Sequence, residues 1–182
     1  MAAVTVQVAD HVATIAFELP AGRFDRDALS ELIAAAEQVG GDTAEVYAVV
    51  VSSMGSGFAA GWSEAALGEP VVSGLTPVGA AFDAVAAIPQ PVVAAVSGAV
   101  ESAGLELALA CDIRIAGESA RFAMPETELG MVPRGGGTQR LPRAIGRAQA
   151  LRLLLTGESI DAAEALRIGL VSSVVADAEL KA

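Results

Sequence analysis

The chain has 182 residues, enough for one domain with a substantial core, and 53% of them are hydrophobic. Its formal net charge of −11 argues against a nucleic-acid partner, which would need a basic face to neutralise phosphates. One cysteine and one histidine argue against an intramolecular disulfide, a histidine triad and a multi-histidine metal site. The candidate catalytic groups are therefore carboxylates and backbone groups, and no metal site is expected.

The sequence predicts a cytoplasmic protein without membrane association. Its first ten residues, MAAVTVQVAD, lack the basic start and apolar core of a signal peptide. The most apolar window, residues 84–100, is interrupted by Pro89 and Pro91 and is too short to span a bilayer. Five arginines within nineteen residues predict a local basic patch for an anionic ligand: Arg134, Arg140, Arg143, Arg147 and Arg152.

The first part of the chain predicts a hairpin, a helix and a buried strand. Short β-branched runs at residues 4–8 and 12–17, separated by Ala-Asp-His, predict the hairpin. From Asp27 to the glycine pair at residues 40–41, apolar side chains recur at helical spacing, which predicts an amphipathic helix. Residues 46–52 are almost continuously apolar, which is typical of a strand buried on both faces.

The remainder predicts alternating strands and helices. Thr76 and Pro77 are typical of a helix start, and Asp161 with Glu164 predicts a capping box. The predicted helices are residues 78–88, 102–110, 147–155 and 161–169, and the predicted strands are residues 92–96, 112–116 and 170–175. This alternation predicts one α/β domain over residues 1–182, built from stacked β-β-α units with mostly parallel sheets and flanking helices.

Two carboxylates stand in surroundings that need a chemical reason. Glu106 lies in a predicted helix that is apolar nearly all round, so it must be paired, hydrogen-bonded or raised in pKa. The last two states suit a general acid or base, whereas an ion pair with Arg114 or another arginine would make Glu106 structural. Glu126 follows Pro125 at the end of a strand-like segment, and its structural alternative is a first-turn acid stabilised by the helix dipole.

Two small-residue turns are candidates for holding an anionic intermediate. Ala103 and Gly104 open the helix of Glu106, so their N–H groups are among those that lack an intrahelical partner. Ala60 and Gly61 form a second turn at the end of a buried strand. If the turns converge, two N–H groups bracket one oxygen and form an oxyanion hole. Otherwise both are ordinary tight turns.

From about residue 46 onward, a set of spaced motifs resembles the enoyl-CoA hydratase/isomerase (crotonase) family. The motifs are PVVAAVSG at residues 91–98, ELA at 106–108, CD at 111–112, FAMPE at 122–126, LG at 129–130, GGTQRLP at 136–142, LTG at 155–157 and GLV at 169–171. The resemblance implies a crotonase-like spiral of β-β-α turns. It also implies an acyl-CoA thioester as substrate, with coenzyme A as part of that substrate and no separate cofactor.

The resemblance further implies a role for each candidate residue. By motif position, the N–H groups of Ala60 and Ala103 polarise the thioester carbonyl. In members that hydrate a double bond, two glutamates, here Glu106 and Glu126, activate water and deliver a proton to the α-carbon. Retaining both favours a lyase that hydrates a 2-enoyl-CoA reversibly and with syn geometry, in fatty acid metabolism.

Departures from the family pattern are expected to shape the substrate site. Residues 102–104 are Ser-Ala-Gly where the family has glycines, and Trp62 and Ser63 stand where a small residue and Asp are usual. An aromatic residue at Trp62 resembles carnitinyl-CoA dehydratase-like members. Arg134 replaces a glycine and is expected to reorient the attacking water or to pair with Glu126. The predicted substrate-binding residues are Arg23, Gly61, Trp62, Ser63, Glu101, Gly104, Pro125, Pro133 and Arg134.

The resemblance also implies an assembly and leaves alternative functions open. Family members usually continue into C-terminal helices that cover the acyl pocket and pack a trimer, and most of that segment is expected to be missing here. A homotrimer or a dimer of trimers is expected if the short C-terminus permits it. The alternatives are an isomerase, a carnitinyl-CoA-like dehydratase or a decarboxylase of the same fold, and a non-catalytic acyl-CoA-binding or assembly subunit.

Overall fold

The computed structural model describes residues 4–63 and 77–180. Its strands are β1 Val4–Ala9, β2 Val12–Phe17, β3 Arg23–Phe24, β4 Ala48–Ser53, β5 Gly61–Trp62, β6 Val92–Val96, β7 Ala99–Glu101, β8 Ile113–Gly117, β9 Arg121–Ala123, β10 Ile160–Asp161 and β11 Ser173–Val175. Its helices are α1 Arg26–Gly41, α2 Pro77–Ala86, α3 Ala103–Ala110, α4 Gly137–Ile145, α5 Arg147–Thr156 and α6 Ala162–Arg167, with 3-10 helices at Pro20–Gly22 and Pro125–Leu129.

A six-stranded sheet in the order β1-β2-β4-β6-β8-β11 forms the frame of the molecule. The predicted hairpin is confirmed: β1 pairs antiparallel with β2 from Val4 opposite Phe17 to Ala9 opposite Val12. Asp10 and His11, with φ of 48° and 64°, make the two-residue turn that matches the twist of the strands. The other pairings in this sheet are parallel, as the alternation of strands and helices predicts.

Strand β4 is buried on one face only, so the prediction of burial on both faces was wrong. Val49 and Val51 are buried, whereas Ala48 and Val50 are half-buried. The second face of the sheet borders a cavity of about 440 Å³, lined in part by Thr14, Val50 and Ala95. A continuously apolar strand sequence therefore does not fix how many of its faces are covered.

Short strands build a second layer that the sequence patterns did not reveal. Strands β10, β9 and β7 form a three-stranded sheet, and β3 pairs with β5. Each of these strands has only two or three residues, too few to show a period of two. Each is specified by its pairing, and β7 connects β6 of the large sheet to the buried helix α3.

The predicted helices are largely confirmed, with one omission. Asp25 caps α1 by accepting a hydrogen bond from the Ala28 N–H at 2.9 Å, and Asp161 caps α6 through the Glu164 N–H at 2.8 Å. The proposed N-cap Thr76 lies outside the described residues. Helix α4 was not predicted, because its glycine-rich start and internal Pro142 are weak helix signals.

Candidate active site

Helix α3 places Glu106 in the centre of the molecule. All eight residues of α3 are buried, and Glu106 is 0% exposed. Its Oε1 accepts hydrogen bonds from the N–H groups of Gly135 at 2.7 Å and Gly137 at 2.8 Å. Its Oε2 is buried and has no hydrogen-bond partner among the described residues. The two oxygens of Glu106 therefore differ, since one is held by two backbone donors and the other is not engaged.

Burial determines the protonation of Glu106. Desolvation raises its pKa to about 7, and the nearby charge of Glu126 adds to this rise. The N–H groups of Gly137 and Gly135 and the charge of Arg140 oppose it. Arg114 does not pair with Glu106, because its guanidinium donates to backbone carbonyls, among them Leu170 O at 2.6 Å. The alternative of an ion pair with Arg114 is therefore wrong, and Glu106 has the pKa expected of an acid-base group.

The backbone of the glycine run at residues 135–137 binds the Glu106 carboxylate. A Cβ on Gly135 would lie 2.5 Å from a ring carbon of Phe82 and 2.9 Å from Glu106 Oε2. A Cβ on Gly137 would lie 2.9 Å from Met124 Cε and 3.0 Å from Glu106 Oε1. Only glycine lets the backbone come close enough to donate both hydrogen bonds. Sequence analysis noted the run as a family motif but did not assign it this role.

Glu126 faces the same region from the 3-10 helix Pro125–Leu129. Its residue exposure is 4%, and its Oε1 accepts a hydrogen bond from the Ser102 hydroxyl at 2.5 Å. Its Oε2, like that of Glu106, is buried without a partner among the described residues. The structure thus brings the two predicted carboxylates together, each with one oxygen engaged and one oxygen unengaged.

Ser102 is a site residue that sequence analysis missed. It is buried, and it adopts φ 50° and ψ −118°, a region that favours glycine. The signal was present in the sequence, since Ser102 is the first departure from the family's glycine run. That departure did not reveal the role of Ser102, because the sequence around a serine does not indicate which distant group its hydroxyl bonds.

The predicted pair of oxyanion donors needs one correction. Ala103 is the first residue of α3, where an N–H has no intrahelical partner, so it remains a candidate donor. The Ala60 N–H, however, donates to the Gly22 carbonyl at 2.7 Å. Because that N–H is already bonded, the assignment of Ala60 as the second donor was wrong.

Strand β5 offers a replacement donor two residues further on. It pairs in parallel with β3, and the N–H of Ser63 donates to Phe24 O at 2.9 Å. Successive N–H groups of a strand point in opposite directions, so the Trp62 N–H faces away from β3. Gly61 approaches Ser102 closely, since a Cβ on it would lie 3.3 Å from Ser102 Cβ. The turn after Ala60 therefore does lie beside the start of α3.

Two cavities meet at Ala60. One has a volume of about 210 Å³, and Ala60 and Ser102 are among the residues that line it. Six predicted substrate-binding or catalytic residues also line it: Arg23, Gly61, Trp62, Glu101, Pro125 and Glu126. The other, of about 400 Å³, extends from Ala60 past Gly22 and the glycine-rich loop after β4. The other predicted site residues are not among those that line the smaller cavity; they are Ser63, Ala103, Gly104, Glu106, Pro133 and Arg134.

Gly104 has a packing role in this structure. A Cβ at this position would lie 2.3 Å from Ala59 O, so a larger residue would force α3 away from the segment before β5. Arg134 Nη2 lies 4.0 Å from Met131 Sδ.

The arginine cluster is largely engaged within the chain. Arg140 bonds Asp83 at 2.6 Å and Gly135 O at 2.8 Å. Arg143 donates to Gln139 O at 2.5 Å, and Arg152 pairs with Glu158 and Glu164. These contacts account for three of the five arginines proposed as an anion-binding patch. In the described part of the chain, no helix is long and apolar enough to cross a membrane.

Comparison with known proteins supports the resemblance. A family model for enoyl-CoA hydratase/isomerase matches residues 7–182. The crotonyl-CoA hydratase of Syntrophomonas wolfei is 40% identical over 160 residues, which cover 86% of this chain and 62% of that protein. The mitochondrial methylglutaconyl-CoA hydratase of Rattus norvegicus is 49% identical over 96 residues, which cover 53% of this chain and 30% of that protein. The chain spans less than two thirds of the length of these relatives.

Solved structures agree with these matches. DspI of Pseudomonas aeruginosa superposes with a TM-score of 0.92 at 37% identity, covering 100% of this chain and 71% of that one. An enoyl-CoA hydratase from Bacillus anthracis superposes with a TM-score of 0.90 at 35% identity, covering 98% and 72%. The expected α/β fold of mostly parallel sheets with flanking helices is thereby confirmed. The chain belongs to the enoyl-CoA hydratase/isomerase (crotonase) family.

Proposed function

We propose that this protein is an enoyl-CoA hydratase that adds water reversibly, with syn geometry, across the double bond of a 2-enoyl-CoA thioester. The observation that carries the proposal is the pair of buried carboxylates, Glu106 and Glu126. Each has one oxygen held by a donor and one oxygen without a partner among the described residues. Two unengaged carboxylate oxygens can bind one water molecule and exchange protons with it.

The two carboxylates divide the proton transfers. Ionised Glu106 takes a proton from water, whose oxygen bonds to the β-carbon while the double-bond electrons move toward the thioester carbonyl. Glu126 then delivers a proton to the α-carbon, and the carbonyl re-forms. A pKa of about 7 suits Glu106 to the first step, because both of its protonation states are populated at neutral pH.

Backbone donors stabilise the enolate formed between these steps. The Ala103 N–H lies at the start of α3, where the helix dipole also favours negative charge. We assign the second donor to the Trp62 N–H, since that of Ala60 is bonded to Gly22 O. Donors of this kind, fixed before the reaction, are worth about 10²–10³ in rate each.

The cavities support a thioester that passes over Ala60. The acyl group fits the cavity of about 210 Å³, where Trp62 and Leu129 supply apolar contact and Glu126 supplies the carboxylate. The coenzyme A part of the thioester then occupies the cavity of about 400 Å³ beyond Ala60. The smaller volume favours a short acyl chain, such as the crotonyl group in the name of the Syntrophomonas wolfei relative.

We also propose that the chain forms homo-oligomers. Leu129, Val132 and Leu155 are large apolar side chains exposed by 66%, 68% and 68%, and subunit contact would bury them. Light scattering during gel filtration tests this. A trimeric mass is expected, and a monomer at micromolar concentration would contradict it.

Loss of the enoyl-thioester absorbance on mixing with crotonyl-CoA tests the proposed reaction. We expect turnover by the native protein, and a loss of about 10²–10⁴ in kcat for Glu106→Gln and for Glu126→Gln. Absence of turnover across acyl chains from four to sixteen carbons would contradict the proposal, as would full activity of either variant. Product analysis on 3-enoyl and 3-hydroxyacyl thioesters separates hydration from isomerisation, which needs only one of the two carboxylates.

A further inference from the structure

We propose that Ser102 is a positioning residue that fixes the Glu126 carboxylate for proton transfer. Its hydroxyl donates to Glu126 Oε1 at 2.5 Å, in the buried site, and leaves Oε2 as the oxygen without a partner. The inference rests on the proposed hydration, since it concerns how one of the two carboxylates of that reaction is aimed. Ser102 acts through Glu126 and not on the substrate.

The backbone of Ser102 is held in a conformation that serine rarely adopts. Its φ of 50° and ψ of −118° belong to a region that a Cβ disfavours. Such strain persists only where surrounding contacts hold the residue in place. Here the Ser102 N–H donates to Ala123 O at 3.0 Å, which fixes the backbone against the end of β9. A glycine would meet the same backbone requirement without strain, so the retained side chain calls for a separate explanation.

The hydroxyl supplies that explanation, because it bonds the Glu126 side chain from a residue whose backbone is bonded to Glu106. The Ser102 carbonyl accepts the hydrogen bond of the Glu106 N–H at 3.0 Å, while its hydroxyl holds Glu126. One residue therefore connects the backbone of the first carboxylate to the side chain of the second. Rotation at Ser102 would change the separation of the two unengaged oxygens, which determines whether both reach one water molecule.

The two oxygens of a carboxylate are chemically equivalent until a donor distinguishes them. With the Ser102 hydroxyl present, rotation of the Glu126 carboxyl group breaks the 2.5 Å hydrogen bond to Oε1. Without it, the carboxylate in this buried site can turn to any orientation that packing allows. Loss of the hydroxyl should therefore lower kcat more than it raises KM, because the Ser102 hydroxyl is bonded to Glu126 Oε1 and is assigned no bond to the substrate.

Two substitutions separate the hydroxyl from the backbone strain. Ser102→Ala removes the hydroxyl and keeps the Cβ, whereas Ser102→Gly removes the hydroxyl and relieves the strain. We expect both to lower kcat by about 10- to 100-fold, with KM changed by less than about threefold. Ser102→Gly should also melt at a higher temperature than Ser102→Ala. Ser30→Ala, which removes an exposed hydroxyl from α1, is the matched control and should leave kcat unchanged.

A double-mutant cycle provides a readout that a purely structural role would not change. In a Glu126→Gln background, Ser102→Ala should alter the residual kcat by less than about twofold, because the group it positions is already impaired. An equal loss in both backgrounds would overturn the proposal, as would wild-type kcat in Ser102→Gly.

Crystal structures of the two serine variants test the inference independently of turnover. We expect the Glu126 carboxylate to be displaced or rotated in both variants, and an unchanged position in both would overturn it. If the native protein shows no hydration, the proposed function fails while these structures still decide the role of Ser102. If hydration is present and Ser102→Ala retains full kcat, the positioning role alone fails.

Discussion

The Gly135 N–H donates to Glu106 Oε1 at 2.7 Å, from a backbone position at which a Cβ would lie 2.9 Å from Oε2 of the same carboxylate. The hydrogen bond therefore depends on the absence of a side chain at residue 135. The loop that stabilises the ionised form of Glu106 can do so only because it carries no side chain.

Alanine substitutions in this loop should destabilise the protein. Gly135→Ala places a Cβ 2.5 Å from the Phe82 ring, and Gly137→Ala places one 2.9 Å from Met124 Cε. We expect each to lower the free energy of unfolding by about 1–3 kcal/mol, the usual range for overpacking a core. Gly41→Ala is the control, because a Cβ there meets nothing within 4 Å, and it should be neutral or stabilising. Urea titrations measure the free energy of unfolding of all three variants. Equal stability of Gly135→Ala and Gly41→Ala would contradict the close packing of the glycine loop.

Arg140 should affect catalysis more through Gly135 than through its ion pair. The Asp83 side chain is 62% exposed, so its pairing with Arg140 contributes about 1 kcal/mol or less. The bond from Arg140 Nη1 to Gly135 O, at 2.8 Å, instead fixes the loop that holds Glu106. We expect Arg140→Ala to lower kcat by about 10-fold, and Asp83→Ala by less than about twofold.

The pH dependence of Arg140→Ala offers a second measurement. The positive charge of Arg140 lowers the pKa of Glu106, so its removal should raise that pKa above about 7. The ionised base then forms at higher pH, and the acidic limb of the kcat profile should move upward. A profile of Arg140→Ala that coincides with that of the native protein would contradict this effect of the Arg140 charge.

Glu106 should make the stability of the protein depend on pH in a defined window. Its pKa is raised from 4.5 to about 7 on folding, so between these values the folded state binds more protons than the unfolded state. Stability should therefore fall as pH rises from 4.5 to about 7 and level off above, by roughly 3 kcal/mol at most. Glu106→Gln should remove this slope. The stability of the variant relative to the native protein should therefore be greater at pH 8 than at pH 5. Urea midpoints at both values test the expectation, and an unchanged slope in the variant would contradict it.

Cys111 should report unfolding through its reactivity. The thiol is 4% exposed, its Sγ lies 3.5 Å from Leu107 O, and burial raises its pKa to about 12. Because the thiolate is the reactive form, labelling by a disulfide reagent should be negligible in the native protein and complete in denaturant. Rapid labelling under native conditions would show that the end of α3 opens readily. As the only cysteine in the chain, it requires no background mutations.

The sequence alone determined the features that depend on local pattern. Alternating and β-branched runs predicted the hairpin, helical spacing predicted α1, and an apolar helix interrupted by one acid identified Glu106 as a residue that needs an explanation. The spaced motifs then indicated the family, which comparison with known proteins confirmed. The hairpin and the helices depend on hydrogen bonds between residues close in sequence, and the family motifs are visible in the sequence itself.

Only the tertiary structure decided which groups meet. The Ala60 N–H was expected to face a ligand, but the pairing of β3 with β5 commits it to Gly22 O, and no property of Ala60 itself reveals that bond. The hydroxyl of Ser102 reaches Glu126 across 24 positions, and Gly135 reaches Glu106 across 29. Local pattern determines helices and strands because their hydrogen bonds are periodic, whereas a site depends on distances between segments that the fold alone brings together.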